Sequence, residues 1–105
     1  MAKRERVCPI AQLGECDVKR VEVDGVAIAV VRVGEKLYAI GDRCSHQDVS
    51  LSEGELYCED LEIECYKHGS TFSLLDGRPI SLPATKPVPT FEVGVEDGEV
   101  WVALP

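Results

Sequence analysis

The chain has 105 residues, of which 45% are hydrophobic and 29% charged, and its formal net charge is −8 at pH 7. This length suits one domain with its own hydrophobic core, so we expect a single domain over residues 1–105. The acidic balance argues against nucleic acid or anionic membrane surfaces as partners. The N-terminus is charged and the longest apolar run, Val26–Val31, has six residues. We therefore expect no export signal, no membrane span and a cytoplasmic location.

The pattern along the chain predicts an all-β protein made of antiparallel hairpins. Asp24-Gly25, between two apolar-rich segments, is the strongest hairpin signal. No stretch repeats apolar residues at a helical period, so we expect little or no helix. The expected strands are short and bounded by turn residues: 19–23, 26–33, 37–40, 55–58, 61–65, 71–75, 91–95 and 99–103.

Two regions interrupt this pattern of strands. Residues 41–54 form a long polar stretch, which we interpret as a loop. Residues 82–90 include Pro83, Pro87 and Pro89, which cannot donate a backbone hydrogen bond. We therefore expect an ordered loop in the second region.

The only two histidines each stand near a cysteine, in the order Cys44-x-His46, eighteen other residues, and Cys65-x-x-His68. Each iron of a 2Fe–2S cluster is tetrahedral and already holds two bridging sulfides, so it needs two protein ligands. Two loops that each offer one Cys and one His can supply all four. The motif predicts one 2Fe–2S cluster per chain, with Cys44 and Cys65 on one iron and His46 and His68 on the other.

A zinc site is the alternative for these four residues, because two cysteines and two histidines also suit tetrahedral zinc. Zinc fingers place paired cysteines before paired histidines, whereas Cys and His alternate here. The strand expected at 61–65 also favours the iron–sulfur interpretation. Alternation puts Ile63 and Cys65 on one face and both glutamates on the other, so Cys65 lies on the core side, as a ligand of the inner iron must.

The sequence resembles bacterial Rieske ferredoxins, through Cys44-Ser45-His46 and Cys65-Tyr66-Lys67-His68-Gly69-Ser70. The likeness runs from about Val7 to Leu104. It implies a Rieske-type fold of small antiparallel sheets, with a cluster-binding subregion, about residues 41–85, formed by two ligand loops. A third, proline-containing loop covers the cluster in that family, and Leu82-Pro83-Ala84 is the best match to it.

Departures from the quinol-oxidising members of this family imply a lower reduction potential. Those proteins have an extra cysteine in each ligand box, joined as a disulfide, where this chain has Val49 and Lys67. They also have a serine and a tyrosine that hydrogen-bond the cluster sulfurs. Ser70 matches the serine, but Phe72 replaces the tyrosine and has no hydroxyl.

The resemblance implies a soluble, monomeric one-electron carrier that takes electrons from a flavin-dependent ferredoxin reductase and delivers them to a terminal oxygenase of the ring-hydroxylating kind. No catalytic residues are expected, since every histidine is assigned to the cluster; the chain is then a component of an enzyme system and not an enzyme. Two alternatives remain: an accessory protein of iron–sulfur cluster assembly, and the small subunit of a nitrite reductase.

The other cysteines, Cys8, Cys16 and Cys58, have no partner histidine, and we interpret them as free thiols. A Cys8–Cys16 disulfide is conceivable but has no support in a reducing compartment. Acidic residues accumulate between the ligand boxes and form either a solvated strand face or a docking patch for a basic partner. They are Glu53, Glu55, Glu59, Asp60, Glu62 and Glu64.

Overall fold

The computed structural model describes residues 3–44, 49–67, 69–80 and 85–104. Nine strands and two 3-10 turns, Ile10–Gln12 and Leu51–Glu53, make up the regular structure of these ranges. The strands are β1 (Lys3–Pro9), β2 (Cys16–Val23), β3 (Val26–Val33), β4 (Lys36–Gly41), β5 (Leu56–Tyr57), β6 (Glu62–Glu64), β7 (Thr71–Ser73), β8 (Thr90–Glu96) and β9 (Glu99–Leu104). No helix within these ranges is long and apolar enough to cross a membrane.

Six strands form the larger sheet, in the antiparallel order β1-β9-β8-β4-β3-β2. The Asp-Gly signal is confirmed in the β2–β3 hairpin, where Asp24 and Gly25 have φ values of 50° and 80°. Asp97 and Gly98 repeat this conformation between β8 and β9, with φ values of 52° and 76°. Two consecutive positive φ values match the right-handed twist of the flanking strands. The all-β, antiparallel prediction is therefore confirmed.

Strand β3 is buried on both faces, which explains its unbroken apolar sequence. Ile28 and Val30 face the large-sheet core, which is made by the larger sheet together with Leu13 next to the first 3-10 turn, and Ala29 and Val31 face the opposite way. The second group belongs to an intersheet core, between the larger sheet and the rest of the chain. The intersheet core comprises Ala29, Val31, Ile40, Cys44, Leu51, Ile63, Cys65, Phe72, Leu74 and Val88.

The smaller sheet has three short antiparallel strands in the order β5-β6-β7. Ile63 and Cys65 are buried in it, while Glu62 and Glu64 are only partly buried, as the alternation predicts. Leu61 differs from the prediction, because it lies in the turn before β6 with a φ of 55°. The turn shortens β6 but leaves the face that carries Cys65 unchanged.

Strand β1 was not among the expected strands, because four charged residues, at positions 3–6, hide any alternation. It is an edge strand that pairs with β9, from Lys3 opposite Leu104 to Pro9 opposite Glu99. Arg4 lies over the ring of Trp101, 4.1 Å from its centroid, so one of these charges is used in a cation–π contact.

Cys16 and Cys58 form a disulfide, which corrects the expectation that both are free thiols. Cys16 begins β2 and Cys58 follows β5, and their Cα atoms are 6.1 Å apart across a sequence separation of 42 residues. The packing of the two sheets brings these positions together, which spacing in sequence does not reveal. Cys8 is a buried free thiol, so the Cys8–Cys16 pairing is wrong.

Candidate metal centre

Cys44 lies at the start of a loop that leaves the end of β4. Its side chain is 3% exposed and its thiol is free. The Cys44 amide donates to the Val49 carbonyl at 3.0 Å, and Arg43 and Ser50 form an isolated bridge beside it. These contacts join Arg43 and Cys44 to Val49 and Ser50, and they hold the backbone of Cys44 in place.

Cys65 directly follows β6, is 1% exposed and forms no disulfide. Its amide donates to the Ser70 carbonyl at 2.7 Å, and its carbonyl accepts from the Gly69 amide at 2.9 Å. Gly69 has a φ of 76°, a conformation that favours glycine. These two bonds hold the backbone of Gly69 and Ser70 against Cys65.

The two cysteine-bearing segments are held against each other by backbone contact. The Glu64 amide donates to the Glu55 carbonyl at 2.8 Å. A Cβ on Gly54 would lie 1.6 Å from the Glu64 carbonyl oxygen, so only glycine allows this approach. Both cysteines belong to the intersheet core. The end of the first loop therefore packs on β6, and this contact brings the two cysteines together although they are distant in sequence.

The chemistry of this donor set fits an iron–sulfur cluster as far as the structure describes it. Two buried cysteines from two loops, neither of them in a disulfide, are the ligands that one iron needs. His46 and His68 lie outside the described residues, as does the expected covering loop Leu82-Pro83-Ala84. Within the ranges given above, no group of three or more His, Cys, Asp or Glu side chains could hold a metal ion.

Phe72 and Ser70, which the sequence marks as determinants of potential, both lie at this site. Phe72 is fully buried in the intersheet core with Cys44 and Cys65. Ser70 is 1% exposed and belongs to the turn closed on Cys65. Of the two positions at which quinol-oxidising relatives brace their loops, Val49 packs against the same core and Lys67 is exposed.

The acidic residues between the boxes are partly engaged with a tyrosine. The Tyr57 hydroxyl lies 3.0 Å from Glu64 Oε1 and 3.1 Å from Glu55 Oε2. The hydrogen bond to Glu64 raises the pKa of Tyr57 to about 12, helped by burial and by Glu55. Glu53, Glu59 and Asp60 are exposed. A docking role for this face stays a prediction.

Sequence reasoning missed Asp42, whose carboxylate is 1% exposed and lies just before Cys44 in the chain. It accepts hydrogen bonds from Arg20 and from the Ser52 amide. The sequence signal that could have identified Asp42 is its position: it is a polar residue where a predicted strand ends and a loop that bears a ligand begins.

The family model of the Rieske [2Fe-2S] domain, which describes sequences, matches residues 3–92 of this chain. The 3-phenylpropionate/cinnamic acid dioxygenase ferredoxin subunit of Escherichia coli (strain K12) is 43% identical over 98 residues, which cover 93% of this chain and 91% of that protein. The solved ferredoxin of carbazole 1,9a-dioxygenase from Nocardioides aromaticivorans IC177 is 37% identical, with a TM-score of 0.91 and coverage of 95% of this chain and 96% of that one.

A solved complex of reduced oxygenase and oxidized ferredoxin in carbazole 1,9a-dioxygenase contains a chain with 42% identity and a TM-score of 0.88, covering 95% of this chain and 92% of that one. The fold alone is shared with a putative NADH-dependent nitrite reductase small subunit from Mycobacterium tuberculosis, at 20% identity, a TM-score of 0.87 and coverage of 100% and 97%.

Proposed function

Because this chain belongs to the Rieske [2Fe-2S] domain family, we propose that it carries single electrons from a flavin-dependent ferredoxin reductase to the terminal oxygenase of a ring-hydroxylating system. It is an electron-transfer component that holds a 2Fe–2S cluster, and not the catalytic subunit. The observation that carries the proposal is the meeting of two buried cysteines, Cys44 and Cys65, in one core. The proposal includes a monomeric state and a cytoplasmic location, a compartment in which the Cys16–Cys58 bond is open to reduction because Cys16 is exposed.

We propose Cys44 and Cys65 as ligands of one iron and His46 and His68 as ligands of the other. When bound, the cluster supplies a one-electron site whose neutral imidazole ligands raise its reduction potential above that of all-cysteine clusters. The protein's part is to hold the thiols. The amides of Cys44 and Cys65 are tied to Val49 and Ser70, and the surrounding core excludes water from the sulfur atoms.

A single domain over residues 1–105, with its cluster-binding part at about 41–85, is part of the same proposal. The intersheet core supports it, because this core joins β3 and β4 of the larger sheet to β6, β7 and the first ligand loop. A unit with a shared core of this kind is expected to unfold as one.

Partner docking is proposed at the surface beside Cys65. Tyr66, beside Cys65, is 53% exposed, and Lys67 is exposed as well. An exposed ring and an adjacent cation are suited to contact a partner. Electrons then have to cross only the first layer of side chains around the ligands.

Phe72→Tyr is expected to raise the midpoint potential by roughly 20–60 mV, the equivalent of one hydrogen bond that favours the reduced state. The wild-type midpoint itself is expected in the lower half of the range of about −150 to +300 mV. Phe72 is fully buried in the core that contains both cysteines, so a hydroxyl added there is shielded from water and is expected to donate to a sulfur atom of the site. Protein-film voltammetry measures both values.

Phe91→Tyr is the matched control, because Phe91 is the other phenylalanine and packs on the large-sheet core. Ser70→Ala should move the midpoint the opposite way, since it removes a donor. An unchanged midpoint in Phe72→Tyr, or an equal rise in Phe91→Tyr, contradicts the assignment of position 72.

The proposed function is tested by single-turnover electron transfer. The chain is reduced chemically, and its re-oxidation is followed by stopped flow against purified terminal oxygenases, including those of the carbazole and phenylpropionate systems. We expect rapid re-oxidation by at least one oxygenase, with one electron delivered per chain. Re-oxidation by none of them, together with a stable complex with a large nitrite reductase subunit, would reject the proposal. Size-exclusion chromatography checks the monomeric state.

A further inference from the structure

Asp42 is a buried carboxylate whose polar atoms join three parts of the fold. Oδ2 accepts from Arg20 Nε of β2 at 3.0 Å, and Oδ1 accepts from the Ser52 amide at 2.8 Å. The Asp42 amide donates to the Ala27 carbonyl of β3 at 3.0 Å, and its carbonyl accepts from the Leu51 amide at 2.5 Å. The residue therefore ties two strands of the larger sheet to the 3-10 turn Leu51–Glu53.

This turn depends on Asp42 for its cap. Ser50 occupies the position before the turn, and its side chain makes no capping hydrogen bond. The Ser52 amide is instead satisfied by a carboxylate ten residues earlier in the chain. A backbone amide without a partner at such a place is costly, and a charged acceptor gives a stronger and more directional bond than a neutral one.

The bonds of Asp42 lie at the base of the segment that carries the first ligand box. They hold the two ends of residues 42–52 together, and Cys44 lies two residues inside. Leu51, which the turn presents, is fully buried in the same core as Cys44 and Cys65. A shift of the turn would thus move both the backbone of Cys44 and a side chain packed beside its thiol.

We propose that Asp42 is a positioning residue for the iron–sulfur cluster, which fixes the Cys44 loop by capping the turn at Ser52 while Arg20 holds the carboxylate in place. A buried carboxylate is expensive unless it is paired, so a packing role alone would favour an apolar residue at position 42. The Arg20 side chain is half-exposed, and it pairs with Glu22 as well as with Asp42, at 3.3 Å between Arg20 Nη2 and Glu22 Oε1. The inference rests on Cys44 being a ligand, which belongs to the proposed function.

The test uses cluster-loaded protein with Asp42→Asn and Asp42→Ala, and Asp17→Asn as the matched control. Asp17 also accepts backbone amides, those of Gly14 at 3.1 Å and Val18 at 2.9 Å, but it serves the connection between β1 and β2. Asp42→Asn keeps the shape of the side chain and loses its charge. It therefore remains informative if Asp42→Ala does not fold.

Two readouts report on position and not on electron transfer. Hydrogen exchange at the Ser52 amide should be about 10- to 100-fold faster in Asp42→Ala, as expected for a lost hydrogen bond to a charged acceptor, and intermediately faster in Asp42→Asn. The g-values and visible circular dichroism of the reduced protein should change in both variants, because the cysteine geometry changes. Asp17→Asn should leave both readouts as in the wild type.

The midpoint potential distinguishes an effect of Asp42 on the geometry of the site from an effect of its charge. Asp42→Asn removes a negative charge near the site and should raise the midpoint, whereas Arg20→Gln leaves the carboxylate unpaired and should lower it. Midpoint shifts with unchanged g-values and unchanged Ser52 exchange would overturn the inference, since Asp42 would then act through charge alone. Equal effects of Asp17→Asn would also overturn it. A cluster that survives in Cys44→Ser would instead reject the ligand assignment.

Discussion

Cys44→Ser and Cys65→Ser are each expected to abolish the 2Fe–2S cluster, which normally contributes two irons and two sulfides per chain. A serine hydroxyl stays protonated at neutral pH and is a much weaker ligand of iron than a thiolate. Both thiols are almost fully buried, so no other cysteine and no solvent ligand can take their place without opening the intersheet core. Iron and sulfide analysis after anaerobic purification measures the loss, with the visible spectrum as a second readout.

Cys8→Ser is the control for these two variants. Cys8 also forms no disulfide, but it lies in the large-sheet core. Burial raises the pKa of the Cys8 thiol, and Glu99 adds to this while Lys19 opposes it, so the thiol stays protonated and is a poor metal ligand. Cys8→Ser should therefore retain full iron content. Stoichiometric zinc without iron in the wild type would contradict the whole assignment.

Features set by local sequence could be predicted well. The Asp24-Gly25 turn requires two positive φ values, which few dipeptides tolerate, so the β2–β3 hairpin follows from two residues. The face of β6 that carries Cys65 follows from the period of a strand, although a turn at Leu61 shortens the strand itself. The ligand boxes are recognisable because cysteine and histidine at that spacing suit few other purposes.

Features set by the packing of distant segments could not be predicted. Asp42 looks like an ordinary loop residue until Arg20 and the Ser52 amide are seen around it. The pairing of Cys16 with Cys58 joins the edge of one sheet to a turn of the other, and no spacing in the chain encodes that contact. An expected reducing compartment predicts free thiols, so the disulfide was not among the expectations.

Removal of the Cys16–Cys58 disulfide is expected to lower the free energy of unfolding by about 4 kcal/mol without loss of the cluster. The bond closes a long loop, with a separation of 42 residues, and the chain-entropy estimate for such a loop gives about that value. Neither cysteine is a proposed ligand, so iron content at room temperature should remain complete. For a domain of this size the loss corresponds to a fall in Tm on the order of 20 °C.

The measurement compares Cys16→Ser/Cys58→Ser with the wild type at one heating rate, following the visible circular dichroism of the cluster-loaded protein. Wild-type protein treated with dithiothreitol should reproduce the double variant, because Cys16 is exposed and Cys58 half-buried, within reach of a small dithiol. Cys8→Ser, untouched by the reductant, controls for the serine substitution itself.

The small sheet that bears Cys65 has only three short strands of its own, so its attachment to β2 through this bond should matter most when the molecule is heated. A Tm within a few degrees of the wild type, with iron fully retained, would mean that packing in the intersheet core alone holds the two sheets together.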